Sequence, residues 1–120
     1  MSSLTEQLIG AENNERDIYK IGQLSFDANL HSLASTEQSV YLRHQLNYVL
    51  LLLAQNTNRG VSRKELINTV WHGNTLTGQK ALTHTICKLR HTIESLTEES
   101  ITIVTIPKFG YSLISRSTKN

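Results

Sequence analysis

Cysteine occurs once in the 120 residues, as Cys87. A lone cysteine closes no disulfide within the chain and removes every zinc site built from several thiolates; a reducing cytosol is the compartment that fits. Proline also occurs once and glycine six times, which excludes collagen-like and Pro-rich segments. Aromatic residues are sparse, with two Phe, one Trp and four Tyr. The longest apolar run, Tyr48 to Ala54, has seven residues, against the roughly 20 that cross a bilayer. No basic-then-apolar signal sequence opens the chain. The sequence holds no G-x-S-x-G elbow, P-loop, G-x-G-x-x-G or H-E-x-x-H, so neither an enzyme nor a bound cofactor is expected.

What is present is enough for one small domain, with 38% hydrophobic residues to build a single core. The net charge of +2 conceals an asymmetry. Residues 1–56 carry three Lys/Arg against six Asp/Glu, whereas residues 57–120 carry nine against four. Five of those nine cations lie between Arg63 and Arg90, beside the single acid Glu65. A basic half next to an acidic half points to a polyanionic partner on one face, although scattered surface charge gives the same totals.

Residues 1–17 are polar and aperiodic and read as a flexible leader; 116–120 form a polar tail, leaving 18–115 as the domain. Ile18 to Phe26 is a β-prone stretch ending at the turn composition Asp27-Ala28-Asn29. Two further short strands around Leu30–Leu33 and Val40–Leu42 complete an antiparallel meander. From Arg43 the period changes. Leu46, Val49, Leu50, Leu53 and Ala54 recur at helical spacing, and the helix stops at Gly60. Ser62-Arg63-Lys64-Glu65 forms a capping box ahead of a second helix with Leu66, Ile67, Val70 and Trp71 on its apolar face. A third helix over about 78–95 carries the stripe Leu82, Ile86, Leu89 and Ile93. Two β-branched runs around Lys108-Phe109-Gly110 then read as a hairpin over 101–115.

The predicted fold class is therefore α+β: an N-terminal antiparallel β-meander, three helices and a C-terminal β-hairpin wing, the winged helix-turn-helix arrangement. On the third helix, about 100° per residue places Lys80, His84, Cys87 and His91 opposite the apolar stripe, with Thr83 and Lys88 on the flanks. From Gln79 to His91 there is no carboxylate, and the first acid is Glu94. An acid there would be repelled by phosphates on both sides of a groove.

Leu66-Ile67-Asn68-Thr69-Val70-Trp71, then Ala81-Leu82-Thr83 through Ile86-Cys87-Lys88-Leu89-Arg90, then Ile103 through Leu113 resemble the OmpR/PhoB family of bacterial winged helix DNA-binding domains. The ending Thr-Ile-Pro-Lys-x-Gly-Tyr-x-Leu looks most like the ToxR/CadC branch. The resemblance covers about Tyr19 to Ser115 and implies a sequence-specific, double-stranded DNA-binding transcription regulator, expected to be an activator. It implies that Lys88 contacts bases and that Lys80, Thr83, Thr85 and Arg90 touch phosphate or the groove wall. Trp71 matches an indole near phosphate, with packing as its other role. Thr105 and Lys108 lie on the wing that reaches an adjacent minor groove or its phosphates, while Gly110 and Tyr111 hold the wing's shape, Gly110 by permitting unusual φ. His84, Cys87 and His91 complete the expected interface. The loop 72–77 corresponds to the family segment implicated in contacting RNA polymerase.

Three departures bear on this. Cys87 stands where many members carry Arg, Pro107 stands where some carry Arg on the wing, and Arg43 replaces the usual Ser or Thr cap of the first helix. Base readout is thus expected to lean on phosphate contacts, DNA shape or a partner. With so few cations, tight occupancy calls for a second copy or a second regulator.

Rival readings are weaker. His84, Cys87 and His91 share a face and offer three metal ligands, but a structural zinc needs four, so no metal is assigned. Cys87 as a redox sensor requires a stabilised thiolate; a cysteine resting in the interface is the plainer reading. A winged helix that binds only protein is the main alternative. The ToxR/CadC resemblance implies a domain order of DNA-binding domain, membrane span and outer sensor, and this chain is expected to be the cytoplasmic piece of such a regulator. A receiver domain ahead of the DNA-binding domain is not expected, since only 17 residues precede it here.

Overall fold

The computed structural model describes residues 18–115; the leader and tail assigned to 1–17 and 116–120 lie outside them. Ten elements follow in order: β1 (Ile18–Ile21), β2 (Leu24–Asp27), β3 (Ser32–Ala34), β4 (Ser39–Tyr41), α1 (His44–Gln55), β5 (Val61–Ser62), α2 (Arg63–Val70), α3 (Thr75–Leu96), β6 (Ile101–Ile106) and β7 (Gly110–Ser115). Among the described residues the strands form two sheets, an antiparallel β1-β2-β3-β4 meander and a smaller β5-β7-β6 sheet.

The β-prone stretch expected as one unit is a hairpin. Gly22, at φ 61°, turns the chain so that Ile21 pairs with Leu24, and only then does Asp27 close the next turn, its Oδ1 accepting from the N–H of Asn29 and Leu30. The alternation that read as one strand is two strands on either side of a left-handed residue, a conformation glycine adopts without penalty. Leu30 consequently lies in a turn and is exposed rather than in a strand.

The helices follow the apolar spacing. Val49, Leu50 and Leu53 of α1, Leu66 and Ile67 of α2, and Leu82, Ile86, Leu89 and Ile93 of α3 are all at most 2% exposed, joined in one core with Phe26, Leu33, Ile103 and Leu113 of the sheets. Arg43 occupies the N-cap of α1 without a side-chain cap bond. At α2, Ser62 Oγ accepts from Glu65 N–H at 3.0 Å, satisfying one of the first-turn donors that a helix leaves open.

The third helix starts earlier than its glycine suggested. Asn74 caps it, accepting from Thr77 N–H at 3.2 Å, so Thr75 to Thr77 are its first turn. Gly78 is inside the helix because it lies against α2: a Cβ there would stand 2.6 Å from a methyl of Ile67. The segment between α2 and α3 is thereby reduced to 71–74, turned by His72 and Gly73 at positive φ. The two-residue β5 went unread, being too short to carry any period; it pairs with the start of β7 and ties the wing to the foot of α2.

Candidate nucleic-acid interface

Helix α3 is 22 residues long, about 33 Å at 1.5 Å per residue. One side is core; the other exposes Lys80, Thr83, His84, Cys87, Lys88 and His91. Its charges run against the helix dipole, with no acid in the first turn, no base in the last, and Glu94 near the C-terminal end. Dipole complementarity favours the reverse by about 0.3–1 kcal/mol per charge, so this order does not arise from stabilising the helix.

Two shallow grooves flank His84. One is lined by Arg63, Gln79, Lys80, Thr83, His84 and Cys87, the other by Arg43, His44, Gln45, Leu46, His84, Thr85 and Lys88. Neither has a carboxylate in its lining. The acids gather at the far end of the same helix, where Glu37, Glu94, Glu98 and Glu99 surround a cleft beside the meander. The wing tip brings Lys108 and Phe109 to the N-terminal parts of α2 and α3, where Arg63 and Lys64 also lie.

Several expected contact residues have other commitments. Thr85 is 3% exposed: it stands three residues from Leu82 and four from Leu89, which puts it on the apolar side, against the start of α1. Trp71 is 8% exposed and packed in the core; its enclosed Nε1–H has no hydrogen-bond partner among the described residues. Arg90 is half-buried and donates to the wing, from Nε to the Ile103 carbonyl at 2.8 Å and from Nη2 to Thr105 Oγ1 at 2.9 Å. Two residues expected to touch phosphate separately are thus bonded to each other. Gly110 keeps an ordinary φ; the left-handed residue at the wing tip is Lys108, at φ 63°. Gly110 is required instead for closeness, since a Cβ would strike the Val61 carbonyl and lie 2.8 Å from Ser62 Cα. The loop expected at 72–77 ends at Asn74, and Leu76, on the first turn of α3, is 90% exposed.

One residue escaped the sequence reading. Arg63 donates from Nε and Nη2 to Gln79 Oε1, from Nη2 to the Gln79 carbonyl and Thr83 Oγ1, and from Nη1 to the Tyr111 hydroxyl. Its place beside the capping serine marked it only as a helix-start residue. Among the described residues no three His, Cys, Asp or Glu side chains are placed to hold a metal ion, and no helix is long and apolar enough to cross a membrane.

A three-helix core, a β-hairpin wing held to the third helix, and an outer face on that helix free of carboxylates from Gln79 to His91 define a winged helix-turn-helix DNA-binding domain. Residues 36–113 match the family described as transcriptional regulatory protein, C terminal, and the chain belongs to that family, of OmpR/PhoB type. It is 27% identical over 115 residues to the transcriptional regulatory protein RprY of Bacteroides fragilis, covering 96% of this chain and 48% of that protein. It is 32% identical over 98 residues to the cholera toxin transcriptional activator of Vibrio cholerae, covering 78% of this chain and 33% of that protein. The solved DNA-binding domain of Escherichia coli CadC superposes with a TM-score of 0.71 at 27% identity, covering 82% of this chain and 92% of that one. The chain spans about half of RprY and a third of the Vibrio activator. Family and fold are those of transcription regulator DNA-binding domains, not enzymes, and they support DNA binding over a purely protein-binding winged helix.

Proposed function

We propose that this domain binds a specific double-stranded DNA site with residues 79–91 of α3 in a major groove and the 101–115 hairpin on adjacent backbone or minor groove, and that it activates transcription. The observation that carries this reading is the exposed stretch of α3 from Gln79 to His91, which holds no acid and lies between two acid-free grooves. Lys80 meets phosphate, Thr83 lies on the groove wall with its hydroxyl donating to the Gln79 carbonyl, Lys88 reaches a base edge where an ammonium suits guanine O6 and N7, and His84, Cys87 and His91 line the contact. Lys108 adds a cation from the wing. The relatives named as activators support the direction of regulation.

Equilibrium binding across a salt series tests this: log K is expected to fall linearly with log salt, and a flat response overturns the reading. Lys80→Ala is expected to weaken all sequences alike and lower the salt slope by about one. Lys88→Ala is expected to cost about 1–3 kcal/mol mainly on the preferred site. Both variants binding that site like wild type would remove α3 from the interface.

Contact with RNA polymerase is assigned to the α2–α3 corner, where Leu76 is almost fully exposed. Leu76→Ser is expected to keep DNA affinity while transcription from a bound promoter falls severalfold. Membrane attachment in the ToxR/CadC manner belongs to a segment outside these residues; an apolar stretch of about 20 codons after Asn120 supports it, and an immediate stop excludes it.

A further inference from the structure

The outward face of α3 begins at Gln79, an exposed side chain whose amide is held by Arg63. A guanidinium carries five N–H donors and no acceptor. The atom of Gln79 that lies 3.0 Å from Nε and 2.7 Å from Nη2 is therefore the amide oxygen. A half-turn of the amide would set its NH2 donors against those of the guanidinium. The fork itself is anchored on three elements: it belongs to α2, it donates to the Gln79 carbonyl at 2.8 Å on α3, and it donates to the Tyr111 hydroxyl at 2.8 Å on β7. Tyr111 is 6% exposed, so that last anchor is part of the core. Every acceptor named here is neutral, which leaves the Arg63 charge in place beside the amide it polarises.

We infer that Arg63 is a positioning residue that makes Gln79 a donor-only reader, so that the N-terminal end of α3 selects a hydrogen-bond acceptor on the DNA. The inference rests on the DNA-binding reading. A free glutamine recognises adenine with both ends of its amide, the oxygen accepting from N6 and the nitrogen donating to N7. Here the oxygen is occupied and Nε2 has no partner among the described residues; Gln79 lines the groove shared with Lys80, His84 and Cys87. The remaining partners are acceptors: a phosphate oxygen, guanine O6 or N7, thymine O4, or adenine N7 without the N6 contact, so that adenine loses the advantage it holds with a free glutamine.

The test uses the full chain, a duplex selected from random DNA and its single-base-pair variants, with fluorescence anisotropy for affinity and circular dichroism melting for folding. Gln79→Met keeps the length of the side chain without a donor and is expected to weaken binding about 5- to 10-fold. Equal loss on every duplex identifies a phosphate acceptor, and loss confined to one base pair identifies a base. Gln79→Glu retains a partner for Arg63 but presents an acceptor outward, and is expected to bind more weakly still. Arg63→Met is expected to cost much less in the Gln79→Met background than in wild type, because Arg63 acts through Gln79. Where Arg63→Met melts below the assay temperature, Arg63→Lys takes its place in the cycle. Gln79→Met binding like wild type overturns the inference, as does a preference for adenine over guanine that Gln79→Met abolishes, or strict additivity in the double variant. Failure of the DNA-binding reading shows separately, as a wild-type chain that binds no duplex at any salt.

Discussion

Gly110 illustrates how one missing Cβ sets the position of the wing. It pairs with Ser62 across the β5–β7 ladder and lies so close to that strand that an added carbon would meet backbone on both residues. Backbone does not swing aside as a flexible side chain does, so Gly110→Ala is expected to cost about 1–3 kcal/mol. Thermal unfolding checks this, with a fall of about 4–8 °C per kcal/mol for a domain of this size. An unchanged melting point would mean that β5 separates from β7 at no cost. Trp71 offers a second single-residue test. Its ring fills the core while its N–H has no partner, and an enclosed unpaired donor is rare in folded proteins. Trp71→Phe retains most of the packing and removes the donor. Because the N–H is enclosed, out of reach of an external phosphate, affinity is expected to hold in this variant with little change in melting; a severalfold fall on all sequences would mean that the N–H opens onto the DNA backbone. Angular position on a helix was enough to place Lys80, His84 and Cys87 outside. It did not separate Thr85 from the core, because that face is broadened by contact with α1.

At the level of elements, helices were legible wherever apolar residues recur at helical spacing, even over the eight residues of α2. Their ends were legible only where a capping residue stood in the right place. Ser62 marked α2 correctly, whereas Gly78 looked like a boundary and is instead a contact point with Ile67. The Ile18–Phe26 alternation hid a hairpin because one glycine turn does not interrupt a period of two. The hold of Arg90 on Ile103 and Thr105 was illegible altogether, since the bonded groups lie 13 and 15 positions apart and meet only after the wing folds back. Arg90→Met keeps the aliphatic stem and loses both bonds. It is expected to leave the fold intact, to raise amide exchange along β6, and to weaken DNA binding several-fold even on sites where no phosphate contact by residue 90 is possible. Unaltered exchange along β6 would mean that the core, not Arg90, fixes the wing.

For the molecule as a whole, charge is divided in space, but not along the two halves counted in the sequence: of the four carboxylates around the acidic cleft only Glu37 comes from residues 1–56. Arg43, Arg63, Lys64, Lys80, Lys88 and Lys108 lie around the front of α3 and the wing tip, and four carboxylates surround the cleft at the opposite end of the helix. The near-neutral total of +2 therefore describes no part of the surface. What was readable is the order along α3 itself, free of acids from Gln79 to His91 and acidic from Glu94. The Arg63–Gln79 pair was not, since each residue by itself has an ordinary explanation and only their meeting assigns the amide.

The Arg90 contacts carry one more consequence. In the proposed mode of binding, joining α3 to β6 sets the distance between the groove reader and the wing, and the DNA conforms to that span as to a caliper. Sequences that bend or narrow easily between the two points of contact are then bound more tightly although nothing touches them there. Changing those untouched base pairs between stiff and flexible steps is expected to alter wild-type affinity clearly and Arg90→Met affinity much less. Equal sensitivity in the two proteins would show that the span is not set by Arg90.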